Sequence, residues 1–194
     1  MDHRSPIWWG NILLLVIETT MFALLIATYL YFRVVDFDQW PPPRVNRVPV
    51  IYHPLPSLTI ATINLAVILV SFGPMFWVDR ACLKRNETAV KLGLVVCILF
   101  GVAAIILRFY EFPAIQFKWN DNAYAGVVWT ILGMHLAHLI TATCENAVMA
   151  AWLFAKGMDF KHARDVRVTA TYWYWVVGIW VILYVLVYWV PRWT

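Results

Sequence analysis

Five long apolar runs, separated by short polar connections, dominate the hydropathy pattern of this 194-residue chain. They cover about residues 7–33, 55–78, 89–112, 124–155 and 168–190. As a helix rising about 1.5 Å per residue, each run is long enough to cross the roughly 30 Å hydrocarbon core of a bilayer. Irregular backbone cannot face lipid because its polar groups would stay unpaired, so such runs form helices. We therefore expect one all-α integral membrane domain over residues 1–194, built as a five-transmembrane-helix bundle.

The composition is typical of a membrane protein and argues against a soluble domain, a cleaved secretory signal and a cysteine-based site. Hydrophobic residues make up 62% of the chain and charged residues only 13%, a balance that soluble domains of this length do not show. The first apolar run is longer than the h-region of a secretory signal, so we expect it to remain as a helix. Cys82, Cys97 and Cys144 form no Cys-x-x-Cys pair, which argues against a disulfide framework or a thiolate metal site.

The distribution of basic residues predicts the orientation of the bundle. The N-terminus, the second loop and the fourth loop share one side and carry Arg4, Arg80, Lys84, Arg85, Lys91, Lys156, Lys161, Arg164 and Arg167. The other side carries Arg33, Arg44, Arg47, Lys118 and Arg192. Because the more basic loops stay in the cytoplasm, we expect a cytoplasmic N-terminus and a periplasmic C-terminus. The first connection, with Trp40-Pro41-Pro42-Pro43, is then expected to cap the outer face as an extended segment.

One carboxyl group interrupts the first apolar run close to mid-depth. Glu18 shares a helix face with Asn11, seven residues earlier, and lies near Phe22, one turn later. An ionisable side chain at the centre of a spanning helix costs roughly 2.5–3.5 kcal/mol, so we expect Glu18 to face the bundle rather than lipid. Two interpretations stay open. Glu18 is either a neutral acid that hydrogen-bonds to a neighbouring helix or a group that relays protons.

The third run ends with an arginine and a glutamate at a spacing that lets them meet. Arg108 and Glu111 lie three residues apart, which places both side chains on one helix face. A structural ion pair near the outer interface is the favoured interpretation. The alternative is that Glu111 reaches across the bundle to the fourth helix.

The fourth run contains two histidines and a carboxylate at a 3-then-7 spacing, which puts His135, His138 and Glu145 on one face. A His-x-x-His pair can bind a metal ion, and a carboxylate belongs to the same ligand class. Glu145 lies two turns, or roughly 10 Å, beyond His138, so one ion cannot take all three. The remaining histidines are in the tail and loops: His3, His53 and His162. These observations favour a polar network between helices over a metal site.

Short motifs recur in a fixed order along nearly the whole chain. They are Trp9-Gly10 followed by Glu18 and Phe22, Trp40-Pro-Pro-Pro, Leu55-Pro56, Tyr110-Glu111-Phe112, Met134-His-Leu-Ala-His138, and an aromatic end from Tyr172-Trp173 through Trp180 to Tyr188. Their order, spacing and topology resemble subunit III of haem-copper cytochrome c oxidases, in the shorter bacterial form with five helices.

The resemblance implies a subunit without catalytic residues of its own inside an oxidoreductase complex of aerobic respiration. It implies that haem and copper belong to the partner subunit I, and that this chain binds structural phospholipids and supports proton uptake in the bacterial inner membrane. Other oxidase subunits and a respiratory supercomplex are further expected partners, and nucleic acid is not. Glu18 matches the family's buried glutamate of the first helix, Glu111 its Tyr-Glu position, and His135 and His138 its His-x-x-His pair.

The last helix departs from the family pattern. The family usually reads Tyr-Trp-His-Phe-Val-Asp, whereas here Tyr174 stands at the histidine and Val177 at the aspartate. Together with Glu145 on the fourth helix, this indicates a rebuilt polar network in a divergent member, and leaves a quinol oxidase or nitric-oxide reductase open as the complex served. Two other classes remain as alternatives: an autonomous metal or haem enzyme using His135 and His138, and a proton-coupled transporter using Glu18. The lack of an internal repeat argues against the transporter.

Overall fold

A computed structural model describes the fold over residues 6–36, 40–45 and 48–193. Residues 1–5, 37–39, 46–47 and 194 lie outside the described residues. Arg4 and Arg47 of the charge count are among them, as is part of the extended segment expected after the first helix.

Five long helices account for most of the described chain. They are α1 (Pro6–Tyr31), α2 (Leu58–Leu83), α3 (Glu87–Glu111), α4 (Ala123–Lys156) and α5 (Phe160–Tyr184). A π-helical turn continues α1 over Phe32–Asp36, and another continues α5 over Val185–Trp189. All five helices are long and apolar enough to cross a membrane, and the described residues contain no strand. The prediction of an all-α membrane bundle with five spanning helices is confirmed.

α5 begins at Phe160, well before the start near residue 168 that hydropathy predicted. Its first turns carry charged residues, which lower the hydropathy of this stretch without preventing a helix. Arg167 donates through Nε to the Asp79 carboxylate of α2 over 2.8 Å, so an ion pair holds this end of α5 against the bundle. Hydropathy marks the part of a helix that lies in hydrocarbon, and α5 extends beyond that part.

α2 runs through Gly73 and Pro74 without interruption and ends at Leu83 rather than near residue 78. A proline inside a helix removes one backbone hydrogen bond and commonly kinks or breaks the helix. The turns after Pro74 are α-helical, and Met75 and Val78 on them are fully buried. Packing of this buried face supports the helix beyond the proline.

Four of the helices close into a ring, and the fifth lies outside it. α2 packs against α3, α3 against α4, α4 against α5, and α5 against α2. α1 has its main contacts with α4 and α5. In its most apolar window only 11% of the α1 residues are buried, against 56% for the last spanning helix. α1 is therefore a peripheral helix that rests on the seam between α4 and α5.

Small residues allow close approach of neighbouring helices within the ring. A Cβ atom added at Gly101 of α3 would collide with the Thr143 side chain of α4, and one added at Gly93 would collide with Val78 of α2. Small residues at helix contacts let backbones approach closely, which is how membrane helices gain packing energy. Gly101 and Thr143 also show that the middle of α3 and the middle of α4 lie at the same depth.

The turn between α4 and α5 is fastened to the start of α3. The Glu87 carboxylate accepts a hydrogen bond from the backbone N–H of Met158 over 3.3 Å and pairs with Lys91 one turn along α3. Gly157 ends α4 with a φ of 78°, a conformation that glycine adopts without a steric penalty. This corner joins three helices on one side of the bundle, called here the Lys156 side.

Candidate functional site

A buried ion pair forms the centre of the four-helix ring. Arg108 Nη1 lies 2.8 Å from Glu111 Oε2, and the two side chains are 0% and 1% exposed. The same Glu111 oxygen accepts from Asn64 Nδ2 of α2 over 3.1 Å, and the other oxygen accepts from the Tyr188 hydroxyl. The carboxylate thus receives donors from three segments. Removing such a charge from water is costly unless hydrogen bonds compensate, and here they do.

Arg108 also fixes the protonation of a histidine on α4. Its Nη2 lies 3.0 Å from His135 Nδ1, and His135 Nε2 lies 3.1 Å from the Val176 carbonyl oxygen of α5. A guanidinium group can only donate and a carbonyl oxygen can only accept. His135 Nδ1 must therefore accept and Nε2 must carry the proton, so the ring is neutral. Both ring nitrogens are engaged by protein atoms.

The Trp180 indole packs against both the Arg108 guanidinium and the His135 ring. The guanidinium carbon of Arg108 lies 3.6 Å from the centroid of the Trp180 ring, within the range of a cation–π contact. The His135 ring stacks on the same indole, with centroids 4.6 Å apart and planes inclined by 29°. We call Asn64, Arg108, Glu111, His135, Trp180 and Tyr188 the core network. It joins α2, α3, α4, α5 and the π-helical turn after α5.

A second polar contact joins α1 to α4. His138 Nε2 lies 2.7 Å from Glu18 Oε2, and His138 Nδ1 lies 2.6 Å from the Met134 carbonyl oxygen. The carbonyl can only accept, so Nδ1 carries a proton. At 2.7 Å a second proton must lie between Nε2 and Oε2, because two lone pairs would repel. This cleft pair, Glu18 and His138, therefore holds a shared proton, whether as acid and imidazole or as carboxylate and imidazolium.

Aromatic rings flank the cleft pair. The centroid of the His138 ring lies 5.2 Å from that of Phe22 and 5.5 Å from that of Trp175. Trp175 also donates through Nε1 to the Thr19 hydroxyl of α1 over 2.9 Å. Two polar contacts thus attach the peripheral α1 helix to the seam between α4 and α5, with apolar rings around them.

The cleft pair lines an open cleft of about 410 Å³. The cleft is lined by Leu14, Glu18, Met21, Met134, Ala137, His138, Thr141, Glu145 and Tyr172. Glu145 is half-buried and makes no hydrogen bond to another described residue. A second groove of about 420 Å³ continues past Glu145 along α4 to Thr169 of α5. A carboxylate therefore stands where the two grooves meet.

Comparison with known proteins identifies the family of this chain. The sequence model of cytochrome c oxidase subunit III matches residues 3–193. This chain belongs to the cytochrome c oxidase subunit III family. Cytochrome c oxidase subunit 3 of Pongo pygmaeus is 25% identical over an alignment of 195 positions, which covers 96% of this chain and 72% of the relative. The subunit of Lumbricus terrestris is 22% identical over 93% of this chain and 69% of its own length.

A bacterial relative shows the same extent of similarity. A probable cytochrome c oxidase subunit 3 of Rickettsia prowazekii is 25% identical over an alignment of 206 positions, which covers 96% of this chain and 71% of the relative. The resemblance read from the sequence motifs is confirmed at the level of the family. The similarity extends over nearly the whole of this chain.

The subunit III fold separates residues that the spacing on α4 had grouped together. His135 turns to α3 and α5, whereas His138 turns to α1. Positions three residues apart differ by about 60° around a helix, and that angle is enough to send the two rings to different neighbours. Glu145 follows His138 onto the cleft and does not join the core network. The expectation of one shared polar face for all three residues is corrected accordingly.

The ion pair expected on α3 forms. Arg108 and Glu111 meet in the last turn of α3, and both side chains are buried inside the bundle. Arg108, not Glu111, reaches the fourth helix, through His135. Among the described residues, no group of three or more His, Cys, Asp or Glu side chains is placed to hold a metal ion.

The sequence did not predict the roles of three residues that contribute to these sites. Asn64 and Tyr188 donate hydrogen bonds to Glu111, and Tyr172 lines the cleft. Asn64 carried a usable signal, since a polar amide within an apolar run is expensive in lipid and marks an interior contact. Tyr188 and Tyr172 lie in an aromatic segment where packing and membrane-interface roles give the same pattern.

Proposed function

We propose that this chain is the non-catalytic subunit III of a bacterial haem-copper terminal oxidase and packs against its catalytic subunit I. The observation that carries the proposal is the match of the subunit III family over residues 3–193. The bacterial setting and the inner membrane are supported by the relative from Rickettsia prowazekii. Haem, copper and oxygen chemistry then belong to the partner, and this chain works within the same multi-subunit complex.

Both histidines of α4 already have protein partners, which supports a role in which this chain binds no cofactor. Both ring nitrogens of His135 and both of His138 contact protein atoms. A metal or haem iron would have to break these contacts before it gained a ligand. The core network serves instead to fix the relative positions of α2 to α5, which gives subunit I a rigid surface.

The orientation and lipid contacts follow from charge and exposure. Basic residues concentrate on the Lys156 side, which favours placing that side and the N-terminus in the cytoplasm. α1 leaves a long apolar surface uncovered within the chain, including Leu13, Ile17 and Leu24. Phospholipid acyl chains fit this surface, since lipid tails pack well against aliphatic side chains. The shared proton of the cleft pair supports a part in proton uptake.

Affinity purification tests the proposal. The chain with a C-terminal tag is expected to purify from its native membrane together with a haem-copper catalytic subunit, identified by mass spectrometry and by its haem absorption. Recovery with the catalytic subunit of a nitric-oxide reductase or a quinol oxidase would redirect the proposal to that complex. Recovery without any haem-copper subunit would contradict it.

A further inference from the structure

Glu145 and the cleft pair are connected along one wall of the cleft. Glu145 follows His138 by seven residues, which places it two turns, or roughly 10 Å, along α4 towards the Lys156 side. Thr141 lies between them on the same wall, and its hydroxyl donates to the Ala137 carbonyl over 3.0 Å. The Thr141 oxygen keeps lone pairs that can accept a further hydrogen bond. The wall is thus a row of polar groups from Glu145 to His138.

The opposite wall contributes a tyrosine hydroxyl that faces the cleft. Tyr172 of α5 is only 4% exposed, lines the cleft, and makes no hydrogen bond to another described residue. It lies within electrostatic range of both Glu18 and Glu145. A phenolic hydroxyl can both donate and accept a hydrogen bond. The Tyr172 hydroxyl is therefore available to bind a ligand in the cleft.

Water fits this requirement in size and chemistry. The cleft holds about 410 Å³, and a water molecule occupies roughly 30 Å³ in the liquid, so several molecules can be accommodated. Glu18, Thr141, Glu145 and Tyr172 supply polar partners for such water along the cleft. The titratable groups facing this space are Glu18 from α1, His138 and Glu145 from α4, and Tyr172 from α5. His138 is the one basic group among these lining residues.

We propose that the cleft is a proton-exchange site, in which Glu145 carries protons between water on the Lys156 side and the cleft pair. Glu145 stands where the cleft meets the groove that leads to Thr169. Thr169 follows Arg167, whose ion pair with Asp79 marks the charged end of α5. Glu145 therefore occupies the end of the cleft nearer the aqueous phase, and the cleft pair lies about two turns deeper along α4.

The transfer balances in protons and charge. A hydronium ion from the Lys156 side protonates the Glu145 carboxylate. The new O–H bond of Glu145 then breaks, and its proton passes through cleft water to Glu18 Oε1, which has no hydrogen bond to another described residue. An O–H bond forms at Glu18, and the proton already shared with His138 resides on Nε2 as imidazolium. The cleft pair gains one positive charge while the Glu145 carboxylate is restored, ready for the next proton.

This inference deepens the proposed function and rests on it for the membrane setting. It does not depend on which catalytic subunit accompanies the chain. If the chain purifies with subunit I but the cleft proves dry, the proton-exchange site is wrong and the subunit III role stands.

Thiol labelling of the complex tests whether water enters the cleft. The exposed Cys144 is first replaced by serine, which leaves the buried Cys82 and Cys97. Thr141→Cys then places a thiol in the cleft. Val102→Cys is the matched control, since Val102 is 43% exposed outside the cleft and lies at the same depth, beside Gly101 where it meets Thr143. Lys156→Cys shows that the reagent, a charged methanethiosulfonate applied from the Lys156 side, is active.

We expect Thr141→Cys to be labelled roughly 100-fold faster than Val102→Cys, because a charged reagent enters hydrocarbon only at a high cost. Equal, slow labelling of both variants, with Lys156→Cys fully labelled, would overturn the proposal.

Infrared spectroscopy after transfer of the complex into D₂O tests the role of Glu145. The bands of the cleft pair are identified by their loss in Glu18→Gln. Glu145→Gln is expected to slow deuterium exchange of these bands by about tenfold or more, since a positioned acid–base group commonly contributes roughly 100-fold or more to proton transfer. Glu87→Gln, a carboxyl change on the same side but outside the cleft, is expected to leave the rate unchanged.

A second variant distinguishes the loss of the carboxyl group from a defect in folding. Glu145→Asp keeps a carboxyl group and is expected to restore most of the exchange rate that Glu145→Gln loses. Unchanged exchange in Glu145→Gln, or equally slow exchange in Glu145→Asp and Glu145→Gln, would overturn the assignment of Glu145 as the proton carrier.

Discussion

Arg108 Nη2 lies 3.0 Å from His135 Nδ1, so a buried guanidinium of α3 sets the tautomer of a histidine on α4. The same guanidinium neutralises Glu111 and lies over Trp180. One charged side chain therefore organises donors, acceptors and rings of three helices, α3, α4 and α5. The core network holds the ring of α2 to α5 in one arrangement, while the cleft pair joins α1 to that ring separately.

Breaking the buried ion pair is expected to destabilise the bundle strongly. Arg108→Met leaves the Glu111 carboxylate uncompensated in the interior, which should lower the free energy of unfolding by about 3–5 kcal/mol. Thermal unfolding of the purified complex, monitored by tryptophan fluorescence, measures the change. The double variant Arg108→Met with Glu111→Leu removes both charges and is expected to lose less than Arg108→Met alone. A double variant that loses the sum of the two single effects would contradict the coupling.

The His135 ring is expected to be neutral with its proton on Nε2. Nitrogen-15 NMR of the complex labelled at histidine distinguishes the two neutral tautomers and the imidazolium, because Nδ1 and Nε2 shift differently with protonation. His135→Phe identifies the signal by its disappearance. A His135 signal with a protonated Nδ1 would contradict the hydrogen bond from Arg108.

Replacing Glu18 separates its hydrogen bond from its proton. Glu18→Gln keeps a donor for His138 Nε2, so we expect assembly with the catalytic subunit to change little, by about 1 kcal/mol or less. Glu18→Leu leaves Nε2 unpaired and should cost about 1–3 kcal/mol, seen as partial loss of the subunit during purification. If the shared proton serves turnover, proton pumping in vesicles falls in Glu18→Gln while assembly stays normal. Normal pumping in Glu18→Gln would assign Glu18 a structural role alone.

Gly101 is expected to tolerate no side chain without rearrangement. Gly101→Ala forces a methyl group against the Thr143 side chain, and overpacking of this kind costs about 1–3 kcal/mol. Gly133→Ala on α4 is the matched control, since nothing lies within 4 Å of its added Cβ, and it should be neutral or stabilising by up to about 1 kcal/mol. Adding Thr143→Ala to Gly101→Ala should recover part of the loss. Equal stabilities of Gly101→Ala and Gly133→Ala would contradict the close approach of α3 and α4.

Hydropathy predicted the five spanning helices because apolar length is a property of each segment alone. It missed the early start of α5, where the ion pair of Arg167 with Asp79 on α2 supports a charged helical end. The spacing of His135 and His138 located both side chains on α4 but not their partners. Whether a ring meets Arg108 or Glu18 depends on where α1, α3 and α5 pack, and that arrangement is set by contacts distant in sequence.

We propose that this chain serves a haem-copper oxidase without holding a cofactor. The most direct test is haem and metal analysis of the purified complex and of the chain separated from it under mild detergent conditions. We expect haem and copper in the complex, retained by the catalytic subunit after separation, and neither in the isolated chain. Stoichiometric haem or copper in the isolated, folded chain would contradict it.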